Sequence, residues 1–142
     1  MNCLQQVNLK EISMTRLASF ATLTSVFLAA CAVTTAAQAQ TPASAMNGVL
    51  VGPNQMTLYV FDKDTAGSGK SVCNGGCATN WPPLMVAPGA TAAGDWSLVA
   101  RDNGDQQWAY KGRPLYYWAK DAKPGDRTGD GLLNNSWHIA KP

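Results

Sequence analysis

Residues 58–64 read LYVFDKD, and residues 115–121 read LYYWAKD, 57 positions later. In each copy a Leu-Tyr pair leads, a second aromatic follows two places after the Tyr, and an Asp closes the run. Successive side chains of a strand point to opposite faces, so Tyr59 and Phe61 share one face and Leu58 and Val60 the other. Large residues on both faces predict a strand covered on both sides. The recurrence of the run predicts a domain made from two related halves.

Outward from these copies the chain is rich in turn formers. Asn47–Val51 and Met56–Phe61 are apolar runs separated by Gly52-Pro53-Asn54, which predicts a hairpin. Asp62–Gly76 is a loop by composition and leads into CNGGCATNWPPL at 73–84. Trp96–Arg101, Gln106–Tyr110 and Pro114–Trp118 predict a three-stranded meander, with Asp102-Asn103-Gly104-Asp105 and Lys111-Gly112-Arg113 as its turns. Lys123–Gly131 is a polar loop, and Trp137–Ala140 is a short last strand placed to close the sheet. No segment after residue 39 keeps a helical period. The expected fold class is all-β: a small antiparallel sheet or barrel-like domain over 47–142, with one motif copy in each half (58–64 and 115–121).

The first 39 residues have a different character. Leu17–Val33 is apolar apart from Ser and Thr, Arg16 stands just before it, and Met14 is an alternative start. A basic residue before a short apolar run marks a secretory signal peptide, and the run is shorter than the ~20 residues of a spanning helix. Ala37-Gln38-Ala39 offers a cleavage site that leaves Gln40 first, with 40–46 as a flexible lead-in. Leu28-Ala29-Ala30-Cys31 offers a competing one, a lipobox in which Cys31 becomes the lipid-bearing first residue. Both routes are extracytoplasmic, to the periplasm or beyond. Only the second leaves the chain anchored to the envelope.

Charge narrows the partners. Lys10, Glu11 and Arg16 lie in the leader, which leaves 9 basic residues against 8 acidic ones, all Asp. A balance so near neutral, with Lys and Arg scattered along the sequence, gives no footprint for nucleic acid. The partner expected is an envelope ligand or protein, with membrane contact only through the lipid. All five Trp follow position 80 and supply large apolar groups to a small core.

Cys73 and Cys77 form an even pair in an exported chain, which predicts a disulfide. Gly75 and Gly76 give the intervening backbone room to turn. The alternative is copper. A C-x-x-x-C pair with the distant His138, the single His, is similar to the ligand set of Sco-type copper chaperones, and thiolate with imidazole suits that metal. Those proteins carry the pair on an α/β scaffold, which this chain does not predict. A two-copper centre would need His where Trp81 stands, and haem attachment needs C-x-x-C-H. Met46, Met56 and Met85 are expected to pack rather than to ligate.

Asp64 and Asp121 are expected to accept backbone N–H groups in the turn after each motif; as catalytic carboxylates they would have to share a cleft. Asp126, Asp130 and Asn134 partly imitate a calcium loop, but Trp137 replaces the final bidentate Glu. There is no G-x-S-x-G run and no phosphate-cradling glycine motif. No complete catalytic set and no cofactor is therefore expected. An aromatic set this dense is mostly core, and a surplus left exposed in a groove would form a glycan or peptide face.

The motif Tyr-x-aromatic-x-x-Asp (Tyr59, Phe61, Asp64; Tyr116, Trp118, Asp121), with C-x-x-x-C-x-x-x-WPPL, QWAYKGRPLYYW and a terminal WH, resembles a family of bacterial secreted repeat lipoproteins of unknown function. The resemblance runs from about Gly48 to the end of the chain. It implies export, frequent lipid anchoring and repeat structure, and brings no reaction, substrate or cofactor. The expected function is a non-enzymatic envelope module that binds or serves a structural role, with copper binding or electron transfer as the alternative.

Overall fold

The alternation of 58–61 is met on both sides. Leu58 and Val60 enter one core cluster with Leu50, Leu84, Trp108, Leu115 and Ala140. Tyr59 and Phe61 enter a second with Cys73, Trp81, Tyr116 and Trp137. The computed structural model describes residues 41–142. The expected signal segment, both of its expected cleavage sites and Cys31 lie outside them.

Seven short strands, one helical turn and one turn of left-handed backbone make up the described domain: β1 (Ser44–Met46), β2 (Val49–Val51), β3 (Tyr59–Phe61), α1 (Gly76–Asn80), β4 (Trp96–Ala100), β5 (Gln106–Tyr110), β6 (Arg113–Pro114), α2 (Leu132–Asn135, the left-handed turn) and β7 (Trp137–Ile139). The pairings, all antiparallel, are β1 with β2, β3 with β7, and β4–β5–β6 as a meander. This is the all-β domain of two related halves that the sequence predicts.

Three local readings differ. The expected flexibility of 40–46 does not extend to Ser44–Met46, which pair with Val49–Val51 as β1. The hairpin around Gly52 exists as a turn, closed by the Gly52 N–H to Met56 and the Gln55 N–H to Gly52. It extends only to a single bridge, Val51 to Thr57, before β3 turns away to pair with β7. The strand expected over Pro114–Trp118 leaves β5 after Pro114, and Tyr116 bridges instead to Tyr59 and Pro83.

The last two differences have one cause: the strands exchange partners between the halves. In the first half Leu58 N–H donates to Leu50 (2.9 Å), Leu50 N–H to Ala140 (2.8 Å) and Ala140 N–H back to Leu58 (2.8 Å), a closed ring of three backbone bonds. In the second half Leu115 donates to Trp108 (3.0 Å), Trp108 to Leu84 (2.8 Å) and Leu84 back to Leu115 (2.9 Å). Each ring thus takes its third member from the other half. Where the halves meet, Tyr59 N–H donates to Tyr116 O (2.8 Å) and Tyr116 N–H to Tyr59 O (3.0 Å). These are the contacts an approximate two-fold axis between the two tyrosines would produce.

Candidate functional site

The side chains of the motif follow the same exchange. Tyr59 donates its hydroxyl to Oδ2 of Asp121 (2.6 Å), and Tyr116 donates to Oδ2 of Asp64 (2.5 Å). The remaining oxygens take groups from the loops that follow. Oδ1 of Asp64 accepts the Val72 N–H (2.8 Å), and Oδ1 of Asp121 accepts the N–H (3.0 Å) and hydroxyl (2.6 Å) of Thr128. The expectation that these carboxylates hold backbone N–H groups is correct in kind. The donors lie a whole loop further along than a local turn would place them. All four motif residues are buried. Burial first, and then the neighbouring carboxylate, pushes both phenols well above the ordinary tyrosine range, so each stays a neutral donor.

Phe61 and Trp118 lie at the two ends of a stack of four rings. Phe61 stacks on Trp137 (4.3 Å between centroids), Trp137 on Trp81 (3.7 Å, planes 4° apart) and Trp81 on Trp118 (4.2 Å). First-half and second-half rings alternate along it. Tyr59 meets Trp81 edge-on and Tyr116 meets Trp137 edge-on. Among the described residues the large exposed hydrophobics are Met46, Val72, Met85 and Leu133, with no aromatic residue among them. Tyr59, Phe61, Trp81, Trp108, Tyr116 and Trp137 are spent on the interior, while Trp96, Tyr110, Tyr117 and Trp118 stay half-buried at its edge. Met46 and Met85 are exposed rather than packed.

A polar network joins the two halves on the Asp64 side, and nothing in the sequence announces it. Arg101 is buried, and its guanidinium donates to four neutral oxygens: Gln107 Oε1 (2.6 Å), Cys73 O (2.6 Å), Asn74 Oδ1 (2.9 Å) and Ser71 Oγ (3.3 Å). Ser71 Oγ lies 2.6 Å from the Tyr116 hydroxyl. Because Tyr116 spends its proton on Asp64, Ser71 must donate to Tyr116. The bonds then run in one direction from the Arg101 cation through two hydroxyls to the Asp64 anion, which is how a buried charge escapes being uncompensated.

Cys73 and Cys77 are joined as a disulfide (1.98 Å). An oxidised pair has no thiolate to offer a metal. His138, the third member of the copper set, points its Nε2 at Asp62 Oδ2 (2.8 Å). No group of three or more metal-ligating side chains occurs among the described residues. The carboxylates that imitate a calcium loop serve the backbone: Asp126 accepts from Ala122 and Lys123, and Asp130 from Ile139.

Asp62 also receives Arg113 (2.8 Å). The Arg113 bond, with His138 behind it, holds this exposed carboxyl below its ordinary range. Beside this triad a groove of about 290 Å³ opens over Val60, Leu115 and Ala140, rimmed by Lys111, Arg113, His138 and Lys141. A second hollow of about 380 Å³ shares His138 and Lys141 and adds Arg127 and Asp130. Cations scattered in the sequence are gathered on one face by the pairing of β7 with β3.

The model of a family described as a secreted repeat of unknown function matches this chain twice, over residues 43–85 and 97–141. Neither a curated protein nor a solved structure matches it. The two matches fall on the two halves that exchange strands, tyrosines and tryptophans. The chain belongs to the secreted-repeat family of unknown function, with one repeat in each half.

Proposed function

We propose that the protein is a non-enzymatic binding module of the cell envelope. The observation that carries this reading is the reciprocal pairing of Tyr59 with Asp121 and of Tyr116 with Asp64. General acid–base work needs a carboxylate in reach of a substrate proton. Here every carboxylate oxygen of the two motif aspartates already accepts an internal donor. The most distinctive residues of the repeat therefore build the scaffold, and their chemistry is turned inward. What remains for function is the surface, and the groove rimmed by Arg113, His138, Lys111 and Lys141 is a concavity there that combines apolar lining with cationic side chains. The family membership supports an address outside the cytoplasm, and the Cys73–Cys77 staple suits an oxidising compartment.

A native mass spectrum of the protein purified from its own envelope tests the reading. The expected result is an oxidised pair together with the added mass of a non-covalently held ligand or partner. Copper on a reduced Cys73/Cys77 pair would overturn it in favour of metal binding or electron transfer. The same spectrum reports whether Cys31 carries a lipid.

A further inference from the structure

The groove over Val60, Leu115 and Ala140 has a definite chemistry. Its accessible apolar lining is Tyr110 and Ile139, both half-buried, lying over Val60, Leu115 and Ala140 of the first core cluster, which are at most 8 % exposed. Its rim carries the basic side chains Lys111, Arg113 and Lys141 together with His138. The neighbouring acid, Asp62, is already engaged by Arg113 and His138 on its two oxygens. Lys111 is held with its ammonium 5.0 Å from the centre of the Tyr110 ring, a cation–π position that keeps it beside the groove mouth. Arg127 stands in the adjoining hollow, where Asp130 is occupied by the Ile139 N–H. Four of the nine cations that follow the leader thus lie along one face. The chain after the leader is nearly neutral, so this excess is local. An apolar lining with a cationic rim complements a molecule that has an anionic head and an apolar body. At about 290 Å³ the groove lies near the lower end of small-molecule sites, which run from roughly 300 to 1,000 Å³.

We infer that this groove is a binding site for a small amphiphilic anion: one carboxylate or phosphate, held by Lys111 and Lys141, with its aliphatic body laid against Tyr110 and Ile139 above Val60. The inference rests on the reading of the protein as a binding module and specifies where and what it binds. Arg113 is already committed to Asp62, so it orders the rim, and the two lysines are the free cations that meet the ligand.

The test is a methyl and amide NMR titration of the full mature protein with sodium octanoate and with octyl phosphate. Octylammonium serves as the charge-reversed control. Saturable shifts at the methyls of Val60, Leu115 and Ile139 are expected with the anions, and binding about tenfold or more weaker with octylammonium. Raising salt from about 20 to about 300 mM should weaken the anions and not the control. Lys111→Ala/Lys141→Ala should weaken the anions about tenfold while amide shifts away from the groove stay in place. Equal binding of octylammonium, anion shifts confined to another face, or no saturable shift would each overturn the proposal. Anionic vesicles retaining the protein through the same two lysines, with neither soluble anion entering the groove, would overturn it too and point to a membrane surface. A foreign ligand in the native mass spectrum together with an empty groove would remove this site and leave the binding module standing.

Discussion

The Tyr59 hydroxyl reaches Asp121 at 2.6 Å across 62 residues of sequence, and Tyr116 makes the same bond in reverse to Asp64. Neither repeat contains the acceptor of its own tyrosine. Each half also lends the other the last member of a three-bond backbone ring and alternate members of the ring stack. Two repeats joined this way form one cooperative unit rather than a pair of small domains.

Equilibrium unfolding should therefore be a single transition. Far-UV circular dichroism and tryptophan fluorescence should give coincident urea curves. Tyr116→Phe should cost about 1.5–3 kcal/mol, the worth of a hydrogen bond to a charged group. Because the pair joins the halves, Tyr59→Phe and Asp121→Ala should be non-additive in a double-mutant cycle by about 1 kcal/mol or more. Two separated transitions, or simple additivity, would refute the interlocked reading.

Alkaline pH should probe the same pairs. Both phenols titrate higher in the folded protein than in the unfolded chain, because burial and the carboxylate neighbours favour the neutral form. The stability they contribute is fully present below the unfolded tyrosine value, about 10. Above it the unfolded chain releases protons that the folded one retains, so stability falls with rising pH by about 1.4 kcal/mol per pH unit for each phenol. Tyr117, raised by burial alone, adds to the slope. Urea midpoints at pH 8, 10 and 11 should decline, and Tyr116→Phe should show the shallower decline. Parallel slopes for the two proteins would exclude Tyr116 as a source.

Much of this was legible in the chain. The Tyr59–Phe61 alternation announces a strand covered on both faces, and the spacing of Cys73 and Cys77 announces the staple. The partner exchange was not legible, because alternation reports which face a residue occupies and not which strand lies beside it. Trp137–Ile139 reads as a strand equally well whether it pairs with its own half or with β3. The Arg101 network escaped for a related reason: an Arg before an Asp-Asn-Gly turn has the sequence context of a surface residue. The basic face escaped because Lys111, Arg127 and Lys141 stand far apart until β7 docks.

The staple should matter modestly. Cys73 and Cys77 close a short loop, for which chain entropy gives about 2 kcal/mol. The corresponding stretch of the second half, Gly129 to Leu133, has no cysteines and still forms its turn. Cys73→Ser/Cys77→Ser should thus fold and lose about 2 kcal/mol in urea titration. A double variant that cannot fold would show that the sulfurs pack as core rather than serving chiefly as a link.

Leu133 offers a gain instead. It holds a left-handed backbone (φ 52°) beside Asn134 (56°) and Asn135 (61°), and its side chain is exposed. A left-handed conformation costs a residue with a Cβ about 1–2 kcal/mol, and Asn tolerates it better than Leu. Leu133→Gly removes that strain without emptying the core, although glycine makes the unfolded chain more flexible. The net expectation is a stabilisation of about 0.5–1 kcal/mol, read as a higher urea midpoint.

Gly129 should behave in the opposite sense. A Cβ built there would lie 2.8 Å from the Trp81 ring and 3.0 Å from the Tyr59 ring, at the centre of the exchanged aromatic contacts. Neither ring has freedom to withdraw, since Trp81 is clamped between Trp137 and Trp118 and Tyr59 is tied to Asp121. Overpacking of this kind costs about 1–3 kcal/mol, and it would displace Tyr59, whose hydroxyl also accepts the Gly129 N–H (3.3 Å). Gly129→Ala should therefore lower the urea midpoint. It should also alter the near-ultraviolet dichroism of the stacked tryptophans. Gly69→Ala, where the added carbon meets open space but φ is +69°, isolates the backbone cost and should leave that dichroism unchanged.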